Sequence, residues 1–385
     1  MRSAEISVTA IAHNVRRVRQ ITNSQVIAVV KANAYGHGLQ IAARAALAGG
    51  AAMLGVADIA EALALRQAGI AADVASILCW LHAADQDFTE AVQQRIELGV
   101  SGAWQLEKIA DAVRRVRGSA SAEVVARARV QLKINTGLSR NGADERELRE
   151  FFELAARLER AGILTVTGIF SHLANAGERA DNEQAARFDS AIELAAAAGL
   201  NPKMQHLAAS AASLGGNSAL RYNTVRVGLA VYGLSPFASC SSQDLGLRPA
   251  LRLKAQIVAL RRVPAGTGVS YGHNYVAPRD TVLGLVPVGY ADGMPRALNN
   301  ANAEVLIAGA RRPIVGRIGM DQCIIDLGLE LGERVHLGDE VVLFGDPARG
   351  EPAVEEWAKC LETINYEIIV GLGARISRVR VAADL

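Results

Sequence analysis

A regular exchange of helical and strand patterns between Thr9 and Leu234 constrains this chain more than any other feature. Ile11, Val15, Val18 and Ile21 recur at helical spacing, and a short apolar run follows at Gln25–Lys31. Further runs lie at Ala52–Ala57, Ser76–Leu81, near Val100, and at Ala126–Ile134, Thr165–Leu173, Met204–Ala208 and Thr224–Leu234. Helical patterns at Leu39–Ala48, Asp58–Ala68, Asp87–Ile96, Gln105–Val116, Asp144–Arg160 and Asn182–Ala198 separate most of them. Strands apolar on both faces are what a parallel sheet under helices requires, and eight of them close a (β/α)8 TIM-type barrel. A doubly wound open sheet is the competing architecture.

After Pro236 the texture changes. A polar stretch, SCSSQDLGLRP, leads into alternating strand candidates at Ala255–Val263, Thr281–Val288, Glu304–Ile307, Gln322–Asp326, Glu340–Phe344 and Ile376–Val381, with one helix at Val354–Leu361. The chain therefore reads as an α/β barrel over residues 1–240 followed by a mainly β domain over 241–385. The extreme N-terminus is a candidate to pair with the second domain.

Composition narrows the function. Formal charge is only +2 and the basic clusters Arg16–Arg19 and Arg114–Arg117 sit at helical spacing, which argues against a nucleic-acid partner. No apolar stretch reaches the length of a membrane span and the first residues lack an apolar signal core, so no membrane partner and a cytoplasmic location are expected. Cys79, Cys240, Cys323 and Cys360 are scattered without a CxxC pair and read as reduced thiols. The seven histidines show neither HxH nor HxxxH spacing, so no metal is expected.

Chemistry in such a barrel sits at the C-terminal ends of the strands. That rule selects Lys31, which ends an apolar run in AVVKANAYGHG, then Lys133 and Arg140, His172, His206 with Ser210, and Arg226 with Gly228. Burial favours the neutral amine of a lysine, which makes it a nucleophile towards a carbonyl. A reactive lysine, several cations and a small-residue loop by the seventh and eighth strands suit a phosphorylated carbonyl cofactor such as pyridoxal 5'-phosphate. Taken singly, each residue has a plainer reading: a surface lysine, a core histidine, a strand-end salt bridge.

Nine motifs change that balance. AVVKANAYGHG, KINTGLSRNG, GIFSHLANA, HLAASAASL, NTVRVGLAVYGL, GTGVSYGHNY, VPVGYADG, GRIGMDQ and TINYE, in this order across nearly the whole chain, resemble the bacterial alanine racemase family. The resemblance implies a pyridoxal-phosphate-dependent isomerase that interconverts L- and D-alanine and feeds peptidoglycan synthesis, working as a homodimer with shared active sites. It implies that Lys31 holds the cofactor and acts as base on one face of the substrate Cα, with Tyr271 of the neighbouring subunit on the other. Arg226 is to face the pyridine nitrogen, and His172 to link Arg226 towards Tyr271. Tyr35, Ser210 and the Gly228 backbone are to hold the phosphate. Arg140 is to contact the cofactor's phenolic oxygen and the substrate carboxylate; Met320 is to bind that carboxylate through its amide, and Tyr290 to line the entry.

An arginine at the ring nitrogen cannot surrender a proton, which favours proton exchange over decarboxylation. The match departs from the family at Ala209, where an asparagine is common, and at Ala374, where some members carry a phosphate-contacting tyrosine; both changes predict a weaker phosphate site. Asn135 replaces a frequent aspartate beside Lys133, a position carbamylated in some members. A racemase of serine or of broader specificity, and a non-catalytic pyridoxal phosphate-binding protein, are the alternatives.

Overall fold

The computed structural model describes residues 1–118, 127–299 and 301–382. Its first strand, β1 (Arg2–Ser7), leads into the helix Val8–Thr22, which Ser7 caps by accepting the Ala10 amide at 3.1 Å. Eight parallel strands then follow in sequence: β2 (Gln25–Val29), β3 (Met53–Val56), β4 (Ser76–Cys79), β5 (Glu97–Val100), β6 (Ala128–Lys133), β7 (Leu164–Phe170), β8 (Met204–His206) and β9 (Thr224–Val227). Each pairs with its sequential neighbour up to β8, and β2 also pairs with β9. The β8–β9 seam is closed by the Arg226 amide donating to the Ala208 carbonyl at 2.9 Å and the Gln205 amide to Asn223 Oδ1 at 2.9 Å. The (β/α)8 barrel is therefore correct and the open sheet is not.

The helices form because each carries an apolar stripe for the barrel wall. Leu148–Arg160 buries Leu148, Phe151, Phe152, Ala155 and Leu158, and its basic last turn (Arg157, Arg160) faces the negative end of the helix dipole. Two expected elements are shorter than their patterns. The helix expected over Asp87–Ile96 is confined to Thr89–Gln93, because Arg95 adopts φ 52° and turns the chain into β5. The run Thr224–Leu234 is a strand only to Val227; Gly228, at φ −105° and ψ −83°, leaves the ladder, and Leu229–Tyr232 forms a 3-10 turn. The expected strand over Ala126–Ile134 begins at Ala128, and residue 126 lies outside the described residues.

The second domain is built on a nine-stranded sheet in the order Ala259–Val263, Thr281–Val286, Cys323–Asp326, Ala310–Val315, Glu304–Ile307, Glu340–Phe344, Leu251–Gln256, β1 and Ser377–Val381. β1 lies antiparallel to Leu251–Gln256 and parallel to Ser377–Val381, so the chain starts in this sheet before entering the barrel. The run Ala255–Val263 is two strands. Ile257 donates to Asp339 O and Val258 to Leu285 O, handing the chain from one ladder to another. Asn14 holds the join between the two units: its amide donates to Val231 O (3.1 Å) and Arg248 O (2.9 Å), and its Oδ1 accepts the Arg248 amide (2.9 Å). Asn14→Leu leaves these buried backbone groups unpaired and is expected to cost about 2–4 kcal/mol, read as a lower urea midpoint at unchanged slope.

Candidate active site

Lys31 follows β2 after one residue, Val30, and the backbone after it is unusual. Ala32, Asn33, Ala34 and Tyr35 all have φ between 52° and 55°, ahead of Gly36 at 80°. Left-handed helix costs roughly 1–2 kcal/mol for each such L-residue, so the surroundings must impose it. They do so from three directions. Glu61 accepts the Ala32 amide (2.6 Å) and the Ala57 amide (2.8 Å), Asn33 Oδ1 accepts the Leu39 amide (2.8 Å), and Arg378 of the second domain donates to Gly36 O (2.9 Å). A Cβ on Gly36 would stand 2.1 Å from Ile369 O, so this side of the turn must be glycine. The turn leaves Lys31 at the C-terminal end of the barrel strands and Tyr35 buried.

Tyr35 packs against Tyr232 (5.0 Å between ring centres) and Tyr366 (6.1 Å). Among the described residues its phenol oxygen has no hydrogen-bond partner, and burial pushes its pKa well up, so it is a neutral donor. A Cβ on Gly228 would lie 2.2 Å from that oxygen. Ser210, buried, opens the turn Ser210–Leu214, and its hydroxyl accepts the Ala230 amide at 3.4 Å. Ala209 precedes it and offers no capping side chain.

Arg226, on β9, is buried. One terminal nitrogen donates to His206 Nδ1 (2.8 Å); the other donates to Ser171 O (2.8 Å) and His172 Nδ1 (2.8 Å). A guanidinium only donates, so both histidines accept at Nδ1 and carry their proton on Nε2. Burial, then the Arg226 charge, drives His172 down to about 3, and the same two causes hold His206 far below its usual value. Burial and then Arg140 lower Arg226 itself to about 10, which leaves it charged at neutral pH. Among the described residues its Nε has no hydrogen-bond partner.

Lys31, Lys133, Arg140 and Arg226 gather here, and among the described residues none has an ion-pair partner. Burial, followed by the charges of Arg140 and Arg226, lowers the Lys31 pKa against the opposing pull of Glu61. Burial and the same cationic neighbours bring Lys133 down to about 8. Asn135, beside it, donates instead to Asp144 at 2.7 Å. Cations left without carboxylates suit a ligand that brings its own negative charge. An amine of lowered basicity, a free phenol and a glycine backbone beside the phenol fit a phosphorylated aldehyde.

Tyr271, Tyr290 and Met320 lie elsewhere, on the second domain. Tyr271 is 73% exposed, Tyr290 42% and Met320 55%. The turn Tyr290–Asp292 is tied to Met320 by Tyr290 N donating to Gly319 O (3.1 Å) and Ala291 N to Met320 O (2.9 Å). The Tyr271 turn joins the same loop through Ser270 Oγ donating to Arg317 O at 2.6 Å. These three thus share one exposed surface. Among the described residues no direct hydrogen bond, ion pair or ring contact joins Tyr271, Tyr290 or Met320 to Lys31, Arg140 or Arg226.

Sequence reasoning left three roles unassigned. His206 was selected as a strand-end candidate with no role given to it, and is a direct partner of Arg226. Tyr366 was quoted only within TINYE and stands beside Tyr35, whereas Ala374 is exposed. Glu61, which fixes the turn after Lys31, carries no local signal beyond a helix start.

The family described as the alanine racemase N-terminal domain matches residues 6–236, and that of the alanine racemase C-terminal domain matches residues 250–380. The chain is 45% identical over 384 residues to an alanine racemase of Thermobifida fusca, covering 99% of this chain and 98% of the relative. It is 44% identical to one of Mycolicibacterium smegmatis, covering 98% of this chain and 94% of that one. Among solved structures, alanine racemase from a D-cycloserine-producing Streptomyces lavendulae superposes with a TM-score of 0.92 at 42% identity, over 99% of this chain and 97% of the other. With both domains matched in order over nearly their full length, the chain belongs to the alanine racemase family.

Proposed function

We propose that this chain interconverts L- and D-alanine with pyridoxal 5'-phosphate, as a cytoplasmic homodimer with shared active sites that supplies D-alanine for peptidoglycan. The observation that carries this reading is the lowered Lys31 amine among cations without ion-pair partners among the described residues, with a buried Arg226 whose terminal donors meet neutral acceptors. When bound, the cofactor supplies an electron sink for the Cα–H bond pair. Lys31 holds it and takes or returns a proton at its Nζ on one face of Cα. Tyr35, Ser210 and the Gly228 amide hold the phosphate, with Tyr366 beside Tyr35. Arg226 meets the pyridine nitrogen with a donor it cannot give up, so that nitrogen stays unprotonated and proton exchange is favoured over further reaction. Arg140 draws the substrate carboxylate, aided by the Met320 amide from the second copy.

Racemisation requires a proton group on the opposite face, because one base alone would return the proton to the side it left. Tyr271 is the group we assign, brought by a second copy of the chain together with Tyr290 at the entry. His172 accepts from Arg226 at Nδ1, so its Nε2–H faces away from the guanidinium and can donate to a phenolate. In this assignment the Arg226 charge stands two links behind Tyr271, the first link being its bond to His172. An exposed tyrosine, glycine-rich turns and an exposed methionine tied into one surface are what a shared site needs from the contributing subunit.

Two outcomes test the assignment. Borohydride treatment of the holoenzyme followed by peptide mapping should place the reduced cofactor adduct on Lys31; an adduct on another lysine overturns the scheme. Tyr271→Phe should keep the bound-cofactor absorbance while kcat for alanine falls by about 100-fold or more, the usual scale for losing a general acid–base group. Circular dichroism of alanine in both directions reads it, and an undiminished rate rules out Tyr271.

A further inference from the structure

The barrel interior below Arg226 is polar, and its hydrogen bonds run in one direction. His206 is fully buried, stacked flat on Phe170 with 4.9 Å between ring centres and 2° between planes. Its Nε2 lies 2.7 Å from Gln131 Oε1. The Gln131 amide nitrogen donates to Glu97 Oε2 at 2.9 Å, and otherwise meets only the sulfurs of Met53 and Met204. Glu97 is fully buried; it also accepts from Thr167 Oγ1 (2.7 Å) and from Arg129 Nε (2.7 Å) and Nη2 (2.6 Å).

Chemistry fixes the polarity of each link. A carboxylate accepts only, so Gln131 turns its amide nitrogen to Glu97 and its oxygen to His206. His206 must then donate from Nε2, which leaves Nδ1 as the acceptor Arg226 requires. The backbone is shaped for this chain. The β6–β7 register shifts between Val130 and Gln131, so the extra residue, Thr167, aims its hydroxyl at Glu97. The next residue, Gly168, makes room: a Cβ there would lie 3.0 Å from Gln131 Cδ and 3.0 Å from its Oε1.

We propose that Gln131 and Glu97 are positioning residues for the racemase site, setting the tautomer of His206 so that it holds Arg226 by an obligatory acceptor. This rests on the assignment of Arg226 to the pyridine nitrogen. Without the relay His206 can turn its proton to Nδ1, where it opposes the guanidinium instead of accepting from it. Arg226 then loses one of its two imidazole anchors. Arg226 touches the cofactor ring and not the alanine, so the loss falls on kcat and leaves KM for alanine largely in place.

The test uses the full-length enzyme with 15N-labelled histidine, in parallel with Gln131→Leu. The His206 signal is identified by its absence in His206→Asn. In the parent, with and without cofactor, His206 should be the Nε2–H tautomer. In Gln131→Leu it should shift to Nδ1–H or to a mixture, the absorption band of bound cofactor should move, and kcat should fall about tenfold, as for a lost hydrogen bond to a charged group. A parent His206 protonated at Nδ1 overturns the proposal, and needs no variant to fold. So does a Gln131→Leu enzyme that keeps both the tautomer and the parental kcat. If the parent itself fails to racemise alanine, the functional reading fails, while the tautomer result still judges the relay.

Discussion

The site depends on a buried guanidinium held without a carboxylate. Arg226 directs its terminal donors to two imidazoles and a backbone carbonyl, all neutral, so its charge is spent on nothing inside the first layer around it. Burying a charge this way is costly unless hydrogen bonds satisfy it and a counter-charge arrives. Glu97, three hydrogen-bond links away, is already paired with Arg129. Burial first, and then the surplus of positive charge at the barrel mouth, lowers the Lys31 amine. The same cations, left without carboxylates, suit an anionic ligand.

The second constraint is mechanical. A left-handed turn from Ala32 to Tyr35 would not persist in an isolated chain, and its clamps come from Glu61 in the next βα unit and from Arg378 in the other domain. The last strand, Ser377–Val381, pairs with β1, whose own strand caps the first barrel helix. The conformation after Lys31 is therefore set by both termini of the chain. Elements of both domains thus hold this turn, although only one of them carries the lysine.

Much of this was readable before the structure. Helical spacing found Leu39–Ala48 to the residue, and the apolar runs found all eight barrel strands, because a barrel buries each strand on both faces. Lys31, Arg226 and His172 were visible because strand ends concentrate chemistry. What stayed hidden has a common cause. Gln131 and Glu97, and the role of His206, take their meaning from partners 20 to 75 positions away, and a bulge at Thr167 leaves no mark on local pattern. Tyr366 sits in a short helix of the second domain that packs back onto Tyr35, a contact no periodicity encodes. The break at Ile257 was missed for the opposite reason: alternation continues through it, although the strand changes partner.

The central claim is that Lys31 and Tyr271 serve one reacting carbon from two different chains. Co-expressing Lys31→Ala with Tyr271→Phe tests it directly, with each variant nearly inactive alone. If sites are shared, random pairing makes about half the dimers mixed, each with one intact site of two, and racemisation returns to about a quarter of the parental rate. If each chain builds its own site, no mixed dimer contains an intact one. A mixture as inactive as its parts would contradict the account.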